Sequence, residues 1–123
     1  MPTILVADDE PTIRALVRAA LGGKGYRVLE AENGPDALQA ARSQSPDLIL
    51  LDIALPGLSG LDVLRRLQEA PATAGTPVLL LTGLVRREPS WPVANGLISK
   101  PFSPDELARQ VAQALERKSA AIS

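Results

Sequence analysis

Cysteine and histidine are both missing from this sequence of 123 residues. Without them the chain can form no disulfide framework, no Cys/His zinc site, no Ser-His-Asp triad and no thiolate nucleophile. Aromatic residues make up only 2%, so the core must be aliphatic, packed from Leu, Ala and Val. A dominant charge is missing too. Lys and Arg number 13 against 14 Asp and Glu, a net charge of −1 with no basic stripe or tail. Nucleic-acid binding by the chain itself therefore has no electrostatic footprint. The longest apolar runs, such as 77–81, are far too short to span a bilayer. No basic segment leads into an apolar one at the N-terminus. The expectation is a cytoplasmic chain with no nucleic-acid or membrane partner. What remains for chemistry is carboxylate, hydroxyl and lysine.

The composition that is present, 46% hydrophobic and 22% charged, is that of an ordinary globular protein. The length suits one domain with one real core rather than two. Short apolar runs alternate with helical stretches. Strands are predicted over 3–7, 27–31, 47–53, 77–81 and 97–99. The run DLILLDI at 47–53 suits a strand buried on both faces of a parallel sheet. Ile13, Leu16, Val17, Ala20 and Leu21 recur at helical spacing before Gly22-Gly23. Asn33-Gly34-Pro35 opens a second helix through Ala37, Leu38 and Ala41, and Leu61, Leu64 and Leu67 mark a third. Ser103-Pro104-Asp105-Glu106 reads as a capping box leading into the stripe Leu107, Val111 and Leu115. Five strands alternating with helices imply right-handed crossovers and a doubly wound α/β sheet. Where another helix is due, between Thr82 and Leu97, Pro89 and Pro92 interrupt the pattern. A helix there is expected to be short, displaced or missing.

Functional groups in such a sheet gather beyond the carboxyl ends of the strands. Four polar features fall at such ends: Asp8-Asp9, Asp52, Thr82 and Lys100. Singly, each has a plain reading as a helix cap, a turn residue, a loop hydroxyl or a surface lysine. If the first, third, fourth and fifth strands are neighbours, all four converge, and the plain readings give no reason for that. Two carboxylates about 4 Å apart repel by roughly 4 kcal/mol at an effective dielectric near 20. Three of them call for a cation, and oxygen-only ligands favour a hard one, Mg²⁺. A carboxylate beside it can attack phosphorus, with the Lys100 ammonium and Thr82 hydroxyl meeting the charge on the phosphoryl oxygens.

With these residues in place, the chain resembles a response-regulator receiver domain of two-component signalling, in the CheY-like superfamily. Asp8-Asp9-Glu10-Pro11 is similar to the family's acidic loop. Leu51-Asp52 through Pro56 and Gly60 is similar to its phosphoacceptor loop. Leu81-Thr82-Gly83 and Lys100-Pro101-Phe102 are similar to its two other signatures. The resemblance implies a flavodoxin-like sheet of strand order 2-1-3-4-5. It implies one receiver domain over 1–123 without an output domain. Asp52 would be the phosphoacceptor. Mg²⁺ would be held by Asp9 directly, by Asp8 largely through water, by Asp52 and by the backbone carbonyl of Ala54. Thr82 and Lys100 would contact the phosphoryl group, and the Lys100-Pro101 peptide would be cis. The donor would be a sensor histidine kinase or a phosphotransfer protein, the output an unidentified protein, and the chain a monomer or weak homodimer.

The chain also departs from the family. Leu97 stands where an inward-turning Tyr or Phe is usual, and the interval from Thr82 to Lys100 is shorter than usual. Both changes fall on the customary output face, which is therefore expected to be altered. Trp91 either plugs a gap left by the shortened segment or offers a partner an anchor. Ala54 and Leu84 stand where the family tunes dephosphorylation, and neither side chain can position a water. Two other readings compete. One is a receiver-like binding module that phosphorylation does not regulate. The other is a phosphatase of the haloacid-dehalogenase type, which needs an acid two residues after its nucleophile. That position is Ala54, so no turnover enzyme is expected.

Overall fold

In the computed structural model, residues 1–83, 92 and 94–122 are described, with side chains through 118. The elements run β1 (Thr3–Ala7), α1 (Pro11–Gly22), β2 (Arg27–Ala31), α2 (Gly34–Gln44), β3 (Leu48–Asp52), α3 (Gly60–Glu69), β4 (Val78–Thr82), β5 (Gly96–Ser99) and α4 (Pro104–Ile122). All strand pairs are parallel, in the order β2-β1-β3-β4-β5. The architecture is the five-stranded, flavodoxin-like sheet that the sequence predicts. The interrupted helix between Thr82 and Leu97, with Leu84, Pro89 and Trp91, lies outside the described residues; Pro92 itself is described.

The sheet is buried on both faces, so its central strands read as apolar runs rather than alternations. Every residue of β3 and β4 is buried. Alternate side chains divide between two layers. Leu5, Ala7, Ile49, Leu51, Val78 and Leu80 meet Ala37, Leu38 and Ala41 of α2 and Val63, Leu64 and Leu67 of α3. Ile4, Val6, Leu48, Leu50, Leu79 and Leu81 meet Val17 and Leu21 of α1 and Leu107, Val111 and Ala114 of α4. Asp47, read as the first residue of β3, instead turns its carboxylate to the Thr3 N–H at 2.7 Å. It thereby ties the start of β3 to β1.

Helix starts follow local chemistry. Asn33 accepts the Asp36 N–H at 2.8 Å, and Ser59 accepts the Asp62 N–H at 3.2 Å. At α4 only half of the expected capping box forms. Ser103 accepts the Glu106 N–H at 3.1 Å, but the Glu106 carboxylate turns forward to Arg109 and Gln110. Partners one helical turn ahead outcompete the reach back to Ser103.

Candidate functional site

The order 2-1-3 places a topological switch point between β1 and β3. The chain leaves β1 toward α1 on one face and reaches α3 from β3 on the other, which opens a crevice above the two strands. Asp8 and Asp9 follow β1 there, and Asp52 ends β3. Carboxylate oxygens of Asp8, Asp9, Glu10 and Asp52 all lie within 4.8 Å of one another. Glu10, quoted from the sequence only as part of the acidic loop, thus joins the cluster.

Lys100, just past β5, reaches across β4 into this crevice. Its ammonium donates to Asp8 Oδ2 at 2.7 Å and to Asp52 Oδ2 at 3.1 Å, and lies 3.5 Å from Glu10 Oε1. The Lys100 N–H donates to the Thr82 carbonyl at 2.7 Å, which ties the end of β5 to the end of β4. The Lys100-Pro101 peptide is cis. Thr82 is buried at the end of β4, beside Ser99 in register. Asp52 Oδ1 accepts the Ala54 N–H at 3.0 Å, which closes a tight turn after β3.

The two aspartates after β1 have different surroundings. Asp8 is fully buried, with Oδ1 on the Glu10 N–H at 2.9 Å and Oδ2 on Lys100. Asp9 is exposed, and its carboxylate has no hydrogen-bond or ion-pair partner among the described residues. Burial raises the Asp8 carboxyl above the usual carboxylate range, against the hydrogen bonds from Lys100 and the Glu10 N–H. The nearby Asp52 charge pushes the same way as burial. Burial of Lys100 opposes its charge, but its hydrogen bonds to Asp8 and Asp52 outweigh this, so its pKa is raised. The two shifts differ in origin: burial raises Asp8 despite its bond to the ammonium, whereas the acids bonded to it raise Lys100.

Two glycines make the crevice possible. A Cβ on Gly60 would lie 2.0 Å from the Asp52 carbonyl oxygen, so only glycine lets the start of α3 sit against the end of β3. The Gly60 N–H then donates to the Ile53 carbonyl at 2.8 Å. A Cβ on Gly34 would lie 2.1 Å from the Leu58 carbonyl oxygen, so α2 begins equally close to the β3–α3 loop. Beside Asp9 is an open depression of about 550 Å³, lined by Glu32, Asn33, Pro35, Pro56 and Gly57. A cavity of about 650 Å³ lies at the opposite edge of the sheet, near Thr76, Asn95 and Arg117, and holds none of the clustered acids.

Four clustered carboxylates, three of them close to the one ammonium, leave an excess of negative charge. The donor set is oxygen only, which fits a hard divalent cation such as Mg²⁺. No helix among the described residues is long and apolar enough to cross a membrane.

Residues 4–112 match the family described as the response regulator receiver domain. The chain is 40% identical over 119 residues to the phosphate regulon transcriptional regulatory protein PhoB of Pseudomonas aeruginosa, covering 94% of this chain and 52% of that protein. It is 42% identical over 82 residues to protein PilH of the same species, covering 67% and 68%. Among solved structures, the receiver domain of the sensor histidine kinase PA1611 of P. aeruginosa superposes with a TM-score of 0.87 at 28% identity, covering 94% of this chain and 98% of that one. That structure has a magnesium ion coordinated in its active-site cleft. The chain spans about half the length of several of the curated relatives it matches.

Proposed function

The chain belongs to the response regulator receiver domain family of two-component systems, and from that premise we propose that it takes a phosphoryl group onto Asp52 from a phosphohistidine. The observation that carries this reading is the placement of Asp52. Its carboxylate ends a buried strand at the switch point, shares Lys100 with Asp8, and lies among three further acids. A phosphorylated imidazole on a sensor histidine kinase or phosphotransfer protein is the donor, since this chain has no histidine of its own. A carboxylate oxygen of Asp52 attacks phosphorus as the phosphorus–nitrogen bond breaks, and the electron pair returns to the imidazole.

The chain's own groups prepare that step. The Ala54 N–H and the Lys100 ammonium fix the two oxygens of Asp52 in direction. Lys100 then meets the charge on the transferred phosphoryl group, and the Thr82 hydroxyl, at the end of the adjacent strand, gives it a second donor. Asp9, Asp52 and the Ala54 carbonyl would hold Mg²⁺, with Asp8 assisting through water; the ion would supply positive charge to the phosphoryl oxygens. The unpartnered Asp9 carboxylate and the fully engaged Asp8 support that division of roles. The shallow setting of the acids suits a donor presented by another protein rather than a small substrate enclosed in a cleft.

Output passes through protein–protein contacts on an altered face. Leu97 lies in β5 opposite Leu80 and packs against the α2–α3 side of the core. An aliphatic side chain there cannot swing a polar-tipped ring between solvent and core. The chain works in the cytoplasm as a signalling unit, a monomer or weak homodimer, without turnover of an external substrate. Incubation with acetyl phosphate and Mg²⁺, followed by intact-mass measurement, tests the reading. The wild type gains one phosphoryl group and Asp52→Asn gains none. No gain on the wild type, or an equal gain on Asp52→Asn, rejects it.

A further inference from the structure

Arg14 belongs to none of the motifs that carry the family resemblance. It lies one turn into α1, where the positive end of the helix dipole disfavours a cation. Its guanidinium nevertheless faces inward and is held in several directions. Nη1 donates to the backbone carbonyl of Asp8 at 2.6 Å. Nε donates to Glu30 Oε1 at 3.2 Å, and Nη2 lies 4.0 Å from the Glu32 carboxylate. The Arg14 side chain is only 15% exposed, against 55% for Arg18, which also binds Glu30. A guanidinium fork fixed on β2 is thereby aimed at the acidic loop.

The point it holds matters because of the peptide that follows. The Asp8 N–H is fixed on the Ala31 carbonyl at 3.0 Å, and the Asp8 carboxylate is fixed on Glu10 and Lys100. The Asp8 carbonyl belongs to the same rigid peptide plane as the Asp9 nitrogen. Asp9 has no side-chain tether among the described residues. The direction of its carboxylate therefore depends on the backbone on either side: Arg14 holds the Asp8–Asp9 peptide, and the bond from the Glu10 N–H to Asp8 Oδ1 holds the next one.

We propose that Arg14 is a positioning residue for the acidic loop, turning the Asp8–Asp9 peptide so that the Asp9 carboxylate is set for a divalent cation, with Glu30 as its anchor. This rests on the reading that the acids bind Mg²⁺. Charge alone would give Arg14 the opposite effect, since a nearby cation repels Mg²⁺ and its removal would tighten binding. A role confined to fold stability would change the unfolding midpoint and leave the affinity of the folded protein unaltered. The sign of the affinity change thus separates the explanations.

The experiment is a MgCl₂ titration of the full chain, followed by calorimetry and by the Ala54 amide resonance, for the wild type, Arg14→Gln, Arg14→Lys and Glu30→Gln. Removing a group that orients a metal ligand weakens binding about 10-fold or more. Arg14→Gln is expected to weaken Mg²⁺ binding by about that factor while remaining folded. Arg14→Lys keeps the charge but not the fork, and is expected to fall between Arg14→Gln and the wild type. Arg14→Lys, in which charge alone predicts no change, keeps the test open even if Arg14→Gln does not fold; Glu30→Gln, which loosens the anchor but also removes a negative charge, is expected to weaken binding as well. Unchanged or tighter binding in Arg14→Gln, or in Arg14→Lys where Arg14→Gln does not fold, overturns the inference. A wild type that binds no Mg²⁺ overturns the reading of the site along with it.

Discussion

The two carboxylate oxygens of Asp52 have different neighbours, Ala54 N–H on one and the Lys100 ammonium on the other. That asymmetry orients the group before any donor arrives. It also sets the exposed Ala54 two residues from Asp52 at the mouth of the turn, with a methyl that can neither hold nor activate a water. Hydrolysis of an aspartyl phosphate needs a positioned water, and side chains that supply one accelerate it. The phosphorylated protein is therefore expected to lose its phosphate over minutes or longer in the presence of Mg²⁺. A time course of intact mass after removal of the donor measures this, and a half-life of seconds would contradict it. The types and order of Asp8, Asp9, Asp52, Thr82 and Lys100 were legible in the sequence because each follows an apolar run. Glu10's approach to Lys100 was not legible, since it depends on how the loop turns after Asp8. Arg14 left one faint signal, a cation in the first turn of a helix that an acidic pair introduces.

Among the elements, α3 places the loop after Asp52 most tightly. Its first residue, Gly60, sits so close to the end of β3 that any side chain would meet the Asp52 backbone. Gly60→Ala must push α3 away from the strand or distort the turn through Ala54. It is expected to cost about 1–3 kcal/mol, the range for inserting a methyl into a packed site. Urea denaturation at constant m-value reads the loss, and weaker Mg²⁺ binding should accompany it because the Asp52–Ala54 turn moves. An unchanged midpoint would mean that α3 is free to shift. The strands were readable to within a residue or two. The sequence assigns 47–53 to β3, whereas the strand runs Leu48–Asp52. At its start the pairing ends on Asp47, whose N–H meets the Thr3 carbonyl and whose carboxylate takes the Thr3 N–H, a pairing that no local pattern records. The same holds for Glu106, whose choice of Arg109 and Gln110 over Ser103 depends on side chains competing on one helix face.

Across the whole molecule, folding and the acidic site work against each other. The core is two aliphatic layers on one sheet and uses none of the clustered acids. The acids crowd at one edge around a single lysine. A divalent cation bound there would relieve that crowding only in the folded protein and so would stabilise it by mass action. At a hundredfold excess over Kd, Mg²⁺ is expected to add about 2.7 kcal/mol and raise Tm by roughly 10 °C. Removing it with EDTA should lower Tm by that amount and leave the far-ultraviolet circular dichroism of the native state unchanged, because the core forms without the metal. Differential scanning calorimetry with and without Mg²⁺ measures the shift. Loss of native secondary structure on chelation would instead make the metal part of the fold.

The sequence by itself determined the class of fold and the chemical types available. Apolar runs buried on both faces require a covered parallel sheet, and the absence of cysteine and histidine leaves only carboxylate, hydroxyl and lysine. It could not bring the Asp8-Asp9 pair to Asp52, because the pair follows β1 and Asp52 ends β3, far apart in the chain. Tertiary structure decided that. Strand order 2-1-3 sets β1 beside β3 and opens the crevice between them, and the close packing of Gly60 on the end of β3 holds the Asp52–Ala54 turn against it. It also decided which of the paired aspartates is free. Asp8 is buried and bound at both oxygens, while Asp9 is exposed on a peptide that Arg14 holds from the neighbouring helix.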